Sequence, residues 1–200
     1  AISALGQKDL KYVIGYSSVS HMGYVLMGLG TLDVLAVNGA VLQMFSHGIM
    51  TALFFAMVGV IYQRTHSRDI TILEGLGKRM GITGVFLAVA GLTSLGLPGF
   101  SSFVAELLVF IGTYRTYPIL AILGVIGAAI TAVYILRLLG KVFFGPMDES
   151  RWRDLTDATR LETSVAVLLT GFLLLWGLYP FRIVEIIDSG VVPIMERLGS

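Results

Sequence analysis

From Gly84 to Tyr117 the chain is apolar for almost its whole length, and it is interrupted once, by Gly96-Leu97-Pro98-Gly99-Phe100-Ser101-Ser102. Glu106 follows that interruption, flanked by Val104, Ala105, Leu107 and Leu108. Pro98 has no N–H, and beside Gly96 and Gly99 it predicts a break that frees backbone groups inside an apolar helix. Within a bilayer such a break is tolerated only where protein or a watery cavity covers it. A carboxylate beside the break is costly, which makes Glu106 a functional candidate. The alternative is two separate helices joined by a Pro-Gly turn, with Glu106 paired passively to a neighbour.

Several further runs reach the roughly 20 apolar residues that cross a bilayer. The chain is 56% hydrophobic and 14% charged, with a mean hydropathy of +0.84, whereas soluble domains are nearer a quarter charged. These features predict an all-α integral membrane protein. The absence of cysteine excludes disulfides, cysteine-held iron–sulfur clusters and zinc–thiolate sites. A net charge of +1 argues against a nucleic-acid partner. No Gly-rich phosphate loop, GxSxG elbow or dinucleotide fingerprint occurs, so no cofactor-binding residue is expected here. The start, AISALGQKDLK, lacks the plan of a signal peptide and reads as the end of a preceding helix, so the chain is expected to be a piece of a longer one.

In order, residues 1–11 are expected to end a helix and turn at the membrane surface. Helices are expected over roughly 12–30, 37–62, 82–117 (broken at 96–102) and 118–144. A charged loop spans 145–160, a last transmembrane helix 161–180, and a weakly amphipathic surface tail 181–200. The distribution of Lys and Arg decides whether 82–117 is one span or two. As one broken span, five spans result. One face then carries Lys8, Lys11, Arg64, Arg68, Lys78, Arg79, Arg137, Lys141, Arg151, Arg153 and Arg160, and the other only Arg115, Arg182 and Arg197. Counting two spans nearly abolishes that asymmetry. The expected topology is therefore five spans, with the N-terminal end cytoplasmic and the tail outside. A broken span is also the plan by which transporters build a binding or conduction site.

This layout brings His21, His47 and Glu106 to one depth on three helices. Chains of Asp, Glu and His at membrane depth mark proton relays, and histidine titrates near neutral pH. Tyr16, Ser17, Ser18, Ser20, Gln43, Ser46, Thr131 and Tyr134 are candidates for a supporting polar path. Against this stands a packed polar axis with no transport role. Two His and one Glu can ligate zinc, but no close HxxxH-type spacing supports a metal, and none is expected. Lys11, His66 and Arg68 belong to the cytoplasmic surface.

Lys8-Asp9-Leu10-Lys11 with Gly15-Tyr16-Ser17-Ser18-Val19-Ser20-His21-Met22-Gly23, the stretch Gly39 to Gly48, Arg64-Thr65-His66-Ser67-Arg68, and Leu97-Pro98-Gly99 with Phe103-Val104-Ala105-Glu106 together resemble the antiporter-like subunits of respiratory complex I, NADH:quinone oxidoreductase. The likeness is greatest to the M-type, or chain 4, subunit, and covers roughly residues 7–145. It implies a fold of inverted five-helix repeats, each with one broken helix, of which this chain would hold most of the second repeat plus a final helix. Protons would cross through half-channels joined by a midplane chain of charged and His residues. Glu106 would be the terminal proton-loading group on the broken helix, and His21 and His47 would pass protons along the axis.

The same resemblance implies that flavin, iron–sulfur clusters and quinone belong to partner subunits, among which are neighbouring antiporter-like subunits. It also implies a bacterial-type inner membrane or an equivalent energy-transducing one. Ser20-His21-Met22-Gly23, and Glu rather than Lys at 106, separate the chain from the related sodium/proton antiporter subunits. The remaining alternatives are a membrane-bound hydrogenase or dehydrogenase, a multisubunit cation/proton antiporter, and an inert structural subunit. The family's first eight or nine helices have no counterpart here, so the chain is not expected to move protons alone.

Overall fold

The computed structural model describes residues 1–198, and these are all-helical, with no strand among them. A single turn, α1 (Ile2–Leu5), leads through Gly6–Asp9 into α2 (Leu10–Gly30). The Asp9 carboxylate caps α2, accepting from the backbone N–H groups of Lys11 and Tyr12. Thr31-Leu32-Asp33 turns the chain, and Asp33 caps α3 (Val34–Thr65) in the same way. At 32 residues α3 is roughly 48 Å long by helical rise, and α2, α4, α5, α8 and α9 all pack on it, while α6 packs on α5, α4 and α2.

Two segments, α4 (Gly81–Ser94) and α5 (Ser101–Thr116), occupy the 82–117 stretch. They do not fold back on each other. Instead they follow α3 end to end and antiparallel to it. Leu87 and Ala90 of α4 share one core with Leu53, Phe54 and Met57. At the junction the Ser46 hydroxyl bonds those of Ser101 and Ser102, and farther along Gly39 lies on Val109 and Gly112 on Ala36. The close approach is built on glycine: a Cβ at Gly39 would stand 2.6 Å from the Val109 backbone nitrogen. Small residues at a helix interface allow such contact in membranes.

The chain then runs through α6 (Pro118–Phe143), a turn α7 (Glu149–Trp152), α8 (Arg160–Leu178) and α9 (Pro180–Leu198). Of the described helices α3, α6 and α8 are long and apolar enough to cross a membrane. A Thr159–Glu162 capping box starts α8. The Arg64 guanidinium grips the Glu162 carboxylate with two bonds of 2.6 and 3.1 Å, tying α8 to the end of α3. Asp157 accepts from the Ile82 and Thr83 backbone N–H groups and from the Thr83 hydroxyl, and so caps α4 from a distant loop.

One expectation is corrected here. The segment after residue 180 is not weakly amphipathic but a helix with one clear apolar face. Ile183, Ile187, Val191 and Met195 recur every four residues along α9, and that stripe packs on Val34, Val37, Val41 and Leu42 of α3. Arg182, Glu185 and Glu196 lie off the stripe. Asn38 donates to Asp188 across the same interface at 2.6 Å. The ends of expected helices also shift: α3 begins at Val34 and continues to Thr65, and α2 begins at Leu10. Residues 199–200 of the expected tail lie outside the described residues.

Candidate functional site

The helix break builds the site. Gly96, at φ +64°, takes the left-handed conformation that ends α4, and the Gly96 and Leu97 N–H groups close back on the Thr93 and Leu92 carbonyls. In a continuing helix the Ser94 carbonyl would pair with the N–H of residue 98, which proline lacks. That carbonyl instead stands 3.2 Å from His21 Nε2. The other ring nitrogen, Nδ1, stands 2.8 Å from the Ser17 carbonyl one turn earlier in α2. Carbonyls only accept, so a proton on either nitrogen of His21 finds an acceptor.

Glu106 sits on the second turn of α5, with Oε1 3.8 Å from His21 Nε2. His21 is fully buried and Glu106 nearly so. The carboxylate lies against Gly96, where a Cβ would stand 2.5 Å from Oε2, so glycine at 96 serves both the turn and the acid. The His47 ring is 5.2 Å from that of His21, centre to centre, and tilted by 35°. The three groups singled out from the sequence therefore meet in one buried cluster.

Of the supporting residues, Ser17 and Tyr134 join this cluster. The Tyr134 hydroxyl donates to Ser17 Oγ at 2.8 Å, and Ser17 Oγ is 3.4 Å from Ser94 Oγ. Thr131 extends the chain at 3.3 Å from Tyr134. Gln43 is fully buried one turn from His47, and neither atom of its amide has a partner among the described residues. Ser46 belongs to a separate serine cluster at the start of α5, and Ser20 is half-buried. Ser18 bonds only the Ile14 carbonyl.

Tyr16 is a correction. Helical geometry turns it about 100° from Ser17, and it is 41% exposed, away from the path. Lys11, His66 and Arg68 gather at the Thr65 end of α3, far from the cluster. Pro98 is exposed, while α8 covers Gly99 so closely that a Cβ at Gly177 would overlap the Gly99 carbonyl. Two participants were not anticipated. Tyr24 stacks edge-on against His21, with ring centres 5.8 Å apart. Ser94 could have been found from the sequence by counting four residues back from Pro98.

Residues 1–131 match the family described as "NADH:quinone oxidoreductase/Mrp antiporter, TM". NAD(P)H-quinone oxidoreductase chain 4 1 of Synechococcus elongatus is 40% identical across all of this chain, and NADH-quinone oxidoreductase subunit M of Rhodobacter capsulatus is 35% identical across 98% of it. The chain spans 39% and 38% of those relatives' lengths. A chain of respiratory complex I from Thermus thermophilus with bound NADH superimposes on 97% of this chain, which covers 43% of that one, with a TM-score of 0.87 and 26% identity. A match over residues 1–131, well more than half of the chain, makes it a member of the NADH:quinone oxidoreductase/Mrp antiporter transmembrane family.

Proposed function

We propose that the chain is part of a proton-translocating membrane subunit of a complex I-type quinone oxidoreductase, and that Glu106, His21 and His47 carry the proton. The observation that carries this is the 3.8 Å approach of His21 Nε2 to Glu106 Oε1 in a buried site beside a broken helix. A proton arriving along Tyr134 and Ser17 is taken by one nitrogen of His21 and released from the other. Glu106 receives it, and the freed Ser94 carbonyl keeps the ring aimed at the acid. In this account α4 and α5 form one broken span among five. The end-to-end course of the two segments along α3, and the eleven-against-three division of Lys and Arg, support it. The basic face is then cytoplasmic, in an energy-transducing membrane.

Redox chemistry belongs to partner subunits, which hold flavin, iron–sulfur clusters and quinone. Neighbouring antiporter-like subunits lie alongside. Relatives named chain 4 and subunit M favour this machine over a cation/proton antiporter. Glu106→Gln in the assembled complex tests the proposal: protons moved per electron fall while quinone reduction persists. Unchanged proton yield would reduce the cluster to a structural axis. Flavin and iron–sulfur subunits are expected to co-purify; their absence alongside cation/proton exchange would identify the antiporter instead.

A further inference from the structure

Two sequence motifs play no part in the proton path: the Lys8–Lys11 turn before α2 and the Arg64–Arg68 turn after α3. They meet at one place. Leu10 N–H donates to the Arg68 carbonyl and Ile70 N–H to that of Lys8, so the two turns are held as a short antiparallel bridge. Beside it opens a groove of about 380 Å³ lined by Lys11, Phe55, Val58, Gly59, Tyr62 and Arg68. Its walls differ sharply with depth. Phe55, Val58 and Gly59 are apolar, and they lie up to two turns down α3 from Tyr62, roughly 10 Å toward the membrane interior. Lys11 and Arg68 stand at the rim.

The rim keeps positive charge free. Lys11 makes no ion pair among the described residues. Arg68 meets Asp9 through Nε at 3.4 Å, and its guanidinium lies over the Tyr62 ring at 5.3 Å from the centroid. Its two terminal nitrogens make no hydrogen bond among the described residues. Arg and Lys so placed present N–H donors to an anion, and arginine suits phosphate geometry in particular. Phe55 and Tyr62 are 40% and 46% exposed, an apolar surface that in a membrane protein meets lipid or a partner. Cations at the membrane surface above an apolar cleft match one amphiphile, with an anionic head and a hydrocarbon tail. Basic recesses at helix ends take acidic phospholipid heads by this chemistry.

We propose that this groove is a binding site for an anionic phospholipid, with the phosphate between Lys11 and Arg68 and one acyl chain along Phe55 and Gly59. The site rests on membrane embedding and not on the proton path, so the two stand or fall separately. The bound lipid bridges the α2 entry and the α3 exit, and so steadies the end of the bundle from which the proton path starts.

The test uses the assembled complex in vesicles containing phosphatidylglycerol or phosphatidylcholine that carries a photoreactive group in the acyl chain. Crosslinked peptides are mapped by mass spectrometry. Phosphatidylglycerol is expected to label the Phe55–Tyr62 segment, and Lys11→Gln to cut that labelling about fivefold, the worth of one basic residue at an anionic surface. Lys11→Arg should restore it. Excess unlabelled phosphatidylglycerol should compete, and inorganic phosphate should not. Equal labelling by both lipids, indifference to Lys11→Gln, competition by inorganic phosphate, or a crosslink from this segment to another subunit would each overturn the proposal. Arg68→Gln is a weaker variant, because Arg68 also holds Asp9, and Lys11→Gln disturbs no side-chain bond.

Discussion

The two directions along the bundle away from Glu106 are built differently. On the Thr65 side of Glu106, His21, Ser17, Ser94, Tyr134 and Thr131 form a connected set of hydrogen-bonding groups, beyond which Val13, Ile14, Phe54, Leu87 and Leu138 belong to one apolar core. Toward the Asp33 end, α2, α3 and α5 close on one another through Gly28, Gly39 and Gly112, with Ala36, Ala40 and Val109 between them. A Cβ at Gly28 would stand 2.8 Å from the Ala36 carbonyl, and one at Gly112 would stand 2.5 Å from the Ala36 nitrogen. One direction begins with hydrogen-bonding side chains in contact, and the other with backbone against backbone beside the buried side chains of Tyr24, Asn38 and Thr113. The contrast teaches that in this three-helix seam connected hydrogen-bonding groups adjoin Glu106 on one side and close helix packing adjoins it on the other. The tight side holds the helices in place so that the polar side keeps its geometry.

The largest effect is expected from breaking the tight side. Gly39→Leu drives a side chain into the α5 backbone, where neither helix can yield. It should cost about 3 kcal/mol or more, read as loss of assembled subunit and a lower midpoint in thermal unfolding. A tolerated leucine would show the seam to be loose.

Pro98→Ala acts on the polar side without changing any group on the path. It restores the N–H that a helix continued through Gly96 would bring to the Ser94 carbonyl in competition with His21. A hydrogen bond of that kind is worth about 1 kcal/mol, so proton transfer should slow several-fold while the assembly stays intact. A rate equal to that of the parent would mean that the carbonyl does not hold the ring. Much of this site could be anticipated from residue types alone. A proline between glycines within an apolar run demands a break, and three titratable residues in apolar helices demand partners. The direction in which side chains point was harder to see. Tyr16 and Ser17 are adjacent and equally polar, but α2 buries Leu10, Val13, Ile14, Ser17, His21, Tyr24 and Gly28, and that face leaves Tyr16 outside. The α9 segment was misjudged for another reason. Its apolar stripe is spaced among Arg182, Glu185, Asp188 and Glu196, which obscure it in the sequence, and the partner that Asp188 finds in Asn38 of α3 is 150 residues away.

Ser17→Ala should cost about 1 kcal/mol, because it removes the shorter of the two hydrogen bonds of the buried Tyr134 hydroxyl and leaves only the 3.3 Å contact with Thr131. Tyr134→Phe in the same background should cost little more, and a double-mutant cycle on stability checks the coupling. Additive losses would contradict a shared hydrogen bond.

The smallest effect is expected at the far end of the polar side, where Asp157 caps α4. Burial works to raise this carboxyl, but hydrogen bonds from the Thr83 hydroxyl and from the Ala158, Ile82 and Thr83 N–H groups outweigh it and hold it below the usual range. A group depressed in the folded state stabilises above its unfolded value, near 3.9, and that contribution is lost as pH falls through the lower folded value. Asp157→Asn should therefore remove about 1 kcal/mol of capping at neutral pH and flatten the acid limb of the stability profile. An acid limb unchanged by the substitution would assign that loss to other carboxylates.

In the proposed function the break delivers His21 to Glu106 as one proton-holding unit. Infrared difference spectra of the assembled complex, recorded between resting and turnover states, test it most directly. A carboxyl band absent in Glu106→Gln is predicted to appear during turnover and to shift in frequency in His21→Gln. A Glu106 band that is the same with and without His21, or no Glu106 band at all, would contradict the account.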